Sequence, residues 1–405
     1  MKKIFSFLLA GSSLAAQAGG FQINTQGPVS TGMAGAFTGV ANDASAVFYN
    51  PGALAFNGKT SFLVGGSLIA PTSSYLSPFN GNVNQEKQYF TPFYAYGTFK
   101  INEKFSAGLG INTPFGLGTK WADNWEGKFI TQEIKLTAIS VQPTLSYKIN
   151  DMLSVGAGFV FTNGSVDVRK AVPVSSSSAS YGGVELKGSG MGYGYNLGVM
   201  GKFGDKLSVG VNYRSSVQLD LKDGDATFTN IPSSLSTKFP SPSKFNSKLV
   251  LPYTFTLGAG YKCTEKLLLT AEIGFTGWSS YDSLAFDFPS TPTLNTHSPR
   301  RYKDVFVYRL GAQYTISPKI TVRGGVAYDR SPVRDGYLSP ELPDANKILG
   351  SVGLTYNPIE KLGISAYYTY ENLMERNGTN TESNFSGTYK TIVNIVGVGI
   401  HYNLN

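Results

Sequence analysis

The chain has 405 residues, of which 13% are aromatic and only 15% charged, with 47 glycines. A soluble protein carries about a quarter charged residues, so this composition argues against a pair of soluble domains. The formal charge of +8 comes without any basic run interleaved with stacking aromatics, which excludes a nucleic-acid partner, and the single cysteine, Cys263, excludes both an intramolecular disulfide and a cysteine metal centre.

Residues 1–18 have the pattern of an export signal. Lys2 and Lys3 supply the positive start, an apolar stretch begins at Ile4, and Ala16-Gln17-Ala18 is a small-x-small cleavage site. No second long apolar run follows, so no transmembrane helix is expected. The surplus positive charge is expected to solvate loops, with anionic lipid or a carboxylate ligand as the alternative.

Next comes GGFQINTQGPVSTGMAGAFTGVANDASAVFYNPGALAF, Gly19 to Phe56. It is rich in Gly, Ala, Ser and Asn and keeps neither helical nor strand periodicity. So small-sided a segment cannot bury a core of its own and is expected to pack inside something else. Asn50-Pro51-Gly52 before an apolar run is an ordered-turn signal, which disfavours a disordered linker.

From residue 59 onward one short pattern recurs. An aromatic ends a strand, a few turn residues follow, and a Lys or Met comes just ahead of the next apolar start. The copies span Phe99 to Phe105, Tyr147 to Leu153, Phe203 to Leu207, Tyr261 to Leu267, Tyr314 to Ile320 and Tyr356 to Leu362. Their centres hold hairpin residues such as Asn102-Glu103, Asn150-Asp151 and Gly204-Asp205. Six tight turns join twelve strands; Thr60 to Ala70 precedes them and Tyr389 to Leu404 follows, which predicts fourteen. Between the tight turns lie longer polar loops, the asymmetry of an outer-membrane barrel.

The strands alternate as lipid-facing strands should. Leu207, Val209, Val211 and Tyr213 would face out, with Ser208, Gly210, Asn212 and Arg214 inward. A soluble sandwich would bury large aliphatics on its inner face, whereas here the inner face is Gly, Ser and Thr. Because lipid cannot satisfy backbone polar groups, the sheet must close.

Gly20-Phe21-Gln22-Ile23-Asn24 and Asn50-Pro51-Gly52 resemble the hatch of the FadL family, bacterial outer-membrane transporters of long-chain fatty acids and aromatic hydrocarbons. The family usually has Asn-Pro-Ala, so Gly52 departs from it. Phe203 to Arg214 and Tyr328 to Asp344 also resemble family segments. The expected fold is therefore an all-β transmembrane antiparallel β-barrel of fourteen strands. Residues 1–18 would be the signal, 19–58 an N-terminal hatch in the lumen, and 59–405 the barrel.

The resemblance implies passive uptake of a hydrophobic compound, a long-chain fatty acid first, by loop capture, lumenal binding and hatch displacement. Phe21 and Ile23 would lie at the tight site, and Asn50, Pro51 and Gly52 would hold the hatch turn. Alternation places Arg309, Arg323 and Glu272 inward; an arginine there would hold a carboxylate, unless these charges pair with one another or with Asp43 and brace the hatch. Two loops are candidates for capture, Ala171 to Gly190 and Asp223 to Asn246; the second carries Phe228, Ile231, Leu235 and Phe239. Trp121 and Trp125 would line a path at the outer rim or anchor the membrane interface. A side opening, which the family has in its third strand, would find its kink at Gly108 and Gly110.

No enzyme motif is evident. The histidines are His297 and His401, without a neighbouring serine, a phosphate loop or a metal-ligand cluster. The alternatives are an adhesin or binding barrel and, behind it, an outer-membrane lipase. No cofactor and no metal is expected; the partners would be the cargo and the surrounding outer-membrane lipid and lipopolysaccharide, with the barrel a monomer in the bacterial outer membrane.

Overall fold

Fourteen antiparallel strands follow one another around a single closed sheet in the computed structural model, which describes residues 19–174 and 181–404. The signal expected over residues 1–18 lies outside the described residues. The strands are β1 (Ser61–Ser77), β2 (Gly81–Asn84 and Phe93–Lys100), β3 (Phe105–Lys120), β4 (Glu133–Lys148), β5 (Leu153–Val172), β6 (Gly182–Phe203) and β7 (Leu207–Arg214 and Val217–Thr229). The circuit continues with β8 (Ser243–Leu251 and Thr254–Lys262), β9 (Leu267–Thr276 and Ser283–Asp287), β10 (Thr296–Pro299 and Val305–Ser317), β11 (Ile320–Asp329), β12 (Lys347–Ile359), β13 (Leu362–Asn380) and β14 (Phe385–Asn403). β1 pairs with β14 from Ser61↔Asn403 to Leu76↔Thr388, so the sheet has no free edge there. All six turns foreseen from the aromatic-turn pattern join neighbouring strands at one end of the cylinder.

The wall has two zones of opposite polarity. Near the tight turns, large apolar residues face out, among them Leu207, Tyr261, Leu310, Val398 and Tyr402, while Ser146, Ser154, Thr355 and Ser365 are buried inside. Toward the long loops the phase inverts. Leu186, Leu219, Leu221, Ala226 and Phe245 are buried inward, and Asp167, Lys187, Asp220 and Lys222 face out. Polar outside and apolar inside is the rule for a sheet in water, so these strand ends stand clear of lipid.

This inversion corrects two loop boundaries. Most of Ala171 to Gly190 belongs to β5 and β6, paired through Val172↔Gly182; residues 175–180 lie outside the described residues. Both ends of Asp223 to Asn246 belong to β7 and β8, leaving 230–242 as the connection. Phe228 is therefore a strand residue, buried and facing inward, because its neighbours Ala226 and Phe245 supply an apolar interior.

Residues 19–58 run inside the wall as short helical turns, α1 (Pro28–Gly32), α2 (Ala46–Tyr49) and α3 (Leu54–Asn57), with a 3-10 turn over Pro51–Ala53. Met33, Phe37, Val47 and Leu54 are almost fully buried, against small inward residues of the barrel. Contact is backbone to backbone in places. A Cβ on Gly210 would lie 2.1 Å from the Thr38 carbonyl oxygen, so only glycine admits the segment there.

Polar side chains of the wall satisfy the segment's backbone. Glu272 Oε2 accepts from the Phe37 and Thr38 amides at 3.1 and 2.8 Å, while its Oε1 takes Arg309 Nη1 at 2.9 Å. Asn50 Nδ2 donates to Thr38 O and Val199 O, both at 3.0 Å, and Asn50 Oδ1 accepts from the Gly52 amide. Ser146 and Ser154 both donate to the Gly52 carbonyl. Asn50-Pro51-Gly52 is thus a turn bonded to strands on both sides.

Removing Glu272 leaves two buried amides and one buried guanidinium without partners. Glu272→Ala is expected to cost about 3–5 kcal/mol, the usual penalty for breaking a buried pair. A lowered urea midpoint of the detergent-folded protein and faster proteolysis within residues 19–58 would register it, with Glu272→Gln milder because it keeps the acceptor for the amides.

Candidate ligand cavity

The ladder between β2 and β3 stops partway up. It runs from Lys100↔Ser106 to Tyr94↔Asn112 and then ends. Beyond it β2 is broken over residues 85–92, and the β3–β4 register slips between Asn112 and Phe115, at Thr113-Pro114. Proline has no amide to give a ladder, so the break falls where the chain loses a donor. Gly108 and Gly110, expected to kink this strand, instead keep regular pairing with Thr98 and Tyr96.

The freed edge of β3 is occupied from inside by the leading segment. Ile23 N donates to Pro114 O at 2.9 Å, Gly116 N donates to Phe21 O at 3.0 Å, and Gln22 bridges Phe115. Gln26 Nε2 adds a bond to Thr113 O at 2.8 Å. Residues 21–23 therefore act as a short extra strand on the lumenal side of the break.

A cavity of about 410 Å³ fills the space around this break. Phe21, Ile23 and Val393 border it on the lumenal side, Phe90 and Leu117 at the break, and Ile139 on the outer face. It thus runs from the lumen through the wall. The Phe90 ring lies across the break against Gly118, where a Cβ would meet it at 1.9 Å. On the far side of Phe21 a smaller space of about 40 Å³ continues toward Leu284, Arg300 and Glu341. Phe21 separates the two, held edge-on by Trp278 and Tyr281 at ring distances of 4.8 and 5.5 Å.

The predicted arginines lie elsewhere. Arg309 is bound to Glu272, and Arg323 donates to Gln313 Oε1 at 2.8 Å and Thr355 Oγ1 at 2.6 Å. Neither borders the cavity or the space behind Phe21; both brace the bore, Arg309 through Glu272 beneath the Phe37 and Thr38 amides. Trp121 and Trp125 are also displaced from their expected place. They stack on each other at 4.5 Å, buried in the upper interior, and donate to Pro340 O and Thr131 O. An indole with its N–H bonded inside a core is not a rim anchor. Ile231, Leu235 and Phe239 are half-buried at the long-loop end, with Phe239 against Phe228 at 5.5 Å.

Sequence reasoning missed the residues that clasp the leading end. Gly20 N donates to Asp344 Oδ2 at 3.2 Å, and the Trp278 ring covers Gly20, where a Cβ would lie 2.3 Å from it. Gly20 takes φ 60, so glycine is needed twice over. Lys347 stands beside this clasp, bonded to Glu371 at 3.2 Å and near Asp329 at 3.6 Å. The one sequence signal was the resemblance over Tyr328 to Asp344, which named the loop but not its contacts. Cys263 is free in its turn, and no metal-binding cluster occurs among the described residues.

Burial pushes the Asp344 carboxyl up to about 6, although Ser331, Lys347 and Gly20 pull the other way. A raised folded-state value means the native protein holds this proton more tightly than the unfolded chain. The associated stability is complete below about pH 4 and is lost as pH rises through about 6. Asp344→Asn keeps an acceptor for Gly20 and removes the buried charge. It is expected to raise stability by on the order of 2 kcal/mol at pH 8 and to change little at pH 4, read from urea midpoints at the two pH values.

The sequence model of the outer membrane protein transport protein family (OMPP1/FadL/TodX) matches residues 9–404. The chain is 26% identical to the 47 kDa outer membrane protein of Pasteurella multocida, with 98% of this chain and 96% of that one covered. It is 24% identical to the long-chain fatty acid transport protein of Escherichia coli O6:H1, over 91% of each. In fold it is similar to a FadL homologue of Pseudomonas aeruginosa, with TM-score 0.86 at 20% identity, covering 96% of this chain and all of that one. The toluene transporter TodX of P. putida is similar too, with TM-score 0.75 at 16% identity and coverage of 94% and 98%. The chain belongs to the OMPP1/FadL/TodX family, as an outer-membrane β-barrel transporter of hydrophobic compounds and not an enzyme.

Proposed function

We propose that the chain takes up long-chain fatty acids passively, and that cargo leaves the lumen through the break between β2 and β3 into the lipid. The observation that carries this reading is the continuity of one cavity from Phe21 in the lumen to Ile139 on the outer face. Its volume of about 410 Å³ falls within the usual range for a small-molecule pocket, and its walls are mainly apolar. The relatives named long-chain fatty acid transport proteins support the choice of cargo.

Capture begins on Ile231, Leu235 and Phe239, which keep part of their apolar surface exposed at the long-loop end. The cargo then moves along the apolar interior to the space bordered by Phe21 and Leu117, which border both cavities. Passage to the break requires Phe21 to move. Its segment is tied to β3 by few bonds and to Asp344 by one, so a small shift of residues 19–24 is the gate. Asn50-Pro51-Gly52 keeps the rest of the plug seated meanwhile. Affinity and downhill diffusion drive the process, with no cofactor. The barrel acts as a monomer, its outward aromatics in contact with outer-membrane lipid and lipopolysaccharide.

Uptake of labelled oleate by cells lacking their own transporter tests this reading. Phe21→Glu places a charge between the two cavities and is expected to lower uptake at least ~10-fold, since burying an unpaired carboxylate is costly. Gly118→Trp would fill the break and is expected to lower uptake to a similar degree without unfolding the barrel. Undiminished uptake by a folded Gly118→Trp protein would exclude exit through the wall.

A further inference from the structure

The cavity behind Phe21 ends on a guanidinium that the sequence did not single out. Arg300 is nine-tenths buried, among Tyr281, Tyr302 and Leu284, and its backbone is pinned by Asp282 O, which accepts from the Arg300 and Arg301 amides at 2.7 and 2.8 Å. One of its nitrogens, Nη1, donates to Glu341 Oε2. Its Nε is buried and has no hydrogen-bond partner among the described residues. A buried donor without an acceptor is costly, so its presence calls for an explanation.

The partner loop is fixed independently. Glu341 O accepts from Thr119 Oγ1 at 2.9 Å, Pro340 O accepts from Trp121 Nε1 at 3.1 Å, and Ser339 Oγ donates to Glu341 Oε2 at 3.0 Å. Glu341 is thus held on one side of the guanidinium. The Nε donor is left without an acceptor beside a space that Arg300 lines, and the Nε edge is one through which an arginine can bind a second carboxylate. The local charge agrees. Burial alone would raise the Glu341 carboxyl, but Arg300 and, less strongly, Lys170 hold it below the usual range.

We propose that Arg300 is the specificity-determining residue for cargo, binding the carboxylate of a long-chain acid through its Nε edge while the alkyl chain lies toward Phe21. This rests on the fatty-acid reading above and adds the group that tells an acid from a neutral chain of equal length. Phe21 would then touch the chain next to the bound head group, so head-group binding and the gate share one neighbourhood. Arg309 and Arg323 have no such role because both guanidinia are engaged in bracing the bore.

The experiment compares oleate with methyl oleate, equal in chain and different in charge, for binding to the purified detergent-folded protein. The wild type is expected to prefer oleate by at least ~10-fold, as a charge-assisted bidentate pair provides. Arg300→Gln alone would leave Glu341 unpaired, so the variant to use is Arg300→Gln with Glu341→Gln, a neutral pair of similar shape. It should bind methyl oleate as the wild type does and lose the preference for oleate. Glu341→Gln by itself should strengthen oleate binding. Wild type that binds both ligands equally, or a double variant that still prefers oleate, overturns the assignment of Arg300. Wild type that binds neither ligand overturns the fatty-acid reading itself.

Discussion

A backbone amide or carbonyl that loses its ladder partner inside a membrane must find another, and at Thr113–Gly116 that partner is the protein's own leading segment. The break in the wall and the seating of residues 20–26 are two sides of one arrangement. Pro114 ends the regular ladder, Phe21 and Ile23 take up the freed β3 edge, and Phe90 lies across the break from the β2 side. A closed cylinder would need no such segment. A cylinder with an unpaired stretch and nothing behind it would leave peptide groups exposed to hydrocarbon.

The rest of the plug is held by different physics. Glycine, serine and threonine on the inner wall let its backbone come close, and a few long polar side chains reach its amides and carbonyls. Glu272 shows why charges occur in so apolar a chain. It accepts two amides and one guanidinium, so Arg309 is part of a bracket rather than a free receptor. In a dry bore an arginine with all its neighbours engaged has little left for a ligand, whereas one with an unbonded edge does. The location of open donors, not the number of inward arginines, decides where an anion can sit.

The inversion of polarity along the wall explains the division of labour between its ends. Near the tight turns the outer face is apolar and the bore is packed with plug. Beyond the lipid the outer face is polar and the bore is lined by Leu, Val and Phe from β4 to β9. The interior at the long-loop end therefore resembles a soluble protein's core. Phe21 reaches this interior from the leading segment, and Trp278 and Tyr281 fix its ring.

The sequence by itself determined the cylinder. Period-two alternation, six repeated turns and an inner face of small residues left no other way to satisfy the backbone in lipid, and the weak patterning of residues 19–56 required that they be covered. These are local properties, and they survive in a one-dimensional reading. It misjudged Phe228 and the two long loops, because a strand leaving the membrane reverses its polarity and then looks like irregular chain, and it misjudged Trp121 and Trp125 because their loop folds into the upper interior. It also could not choose among arginines. Arg300 follows the first piece of β10 and Arg309 lies within the second, and only the tertiary structure shows that Arg309 pairs with Glu272 beneath the Phe37 and Thr38 amides while Arg300 pairs with Glu341 and keeps a buried Nε without an acceptor. The break at Pro114, the clasp of Gly20 on Asp344 and the cavity between them depend on contacts between residues hundreds of positions apart. Tertiary structure alone decided those, since closing the barrel is what brings β3, β12 and the leading segment to one place.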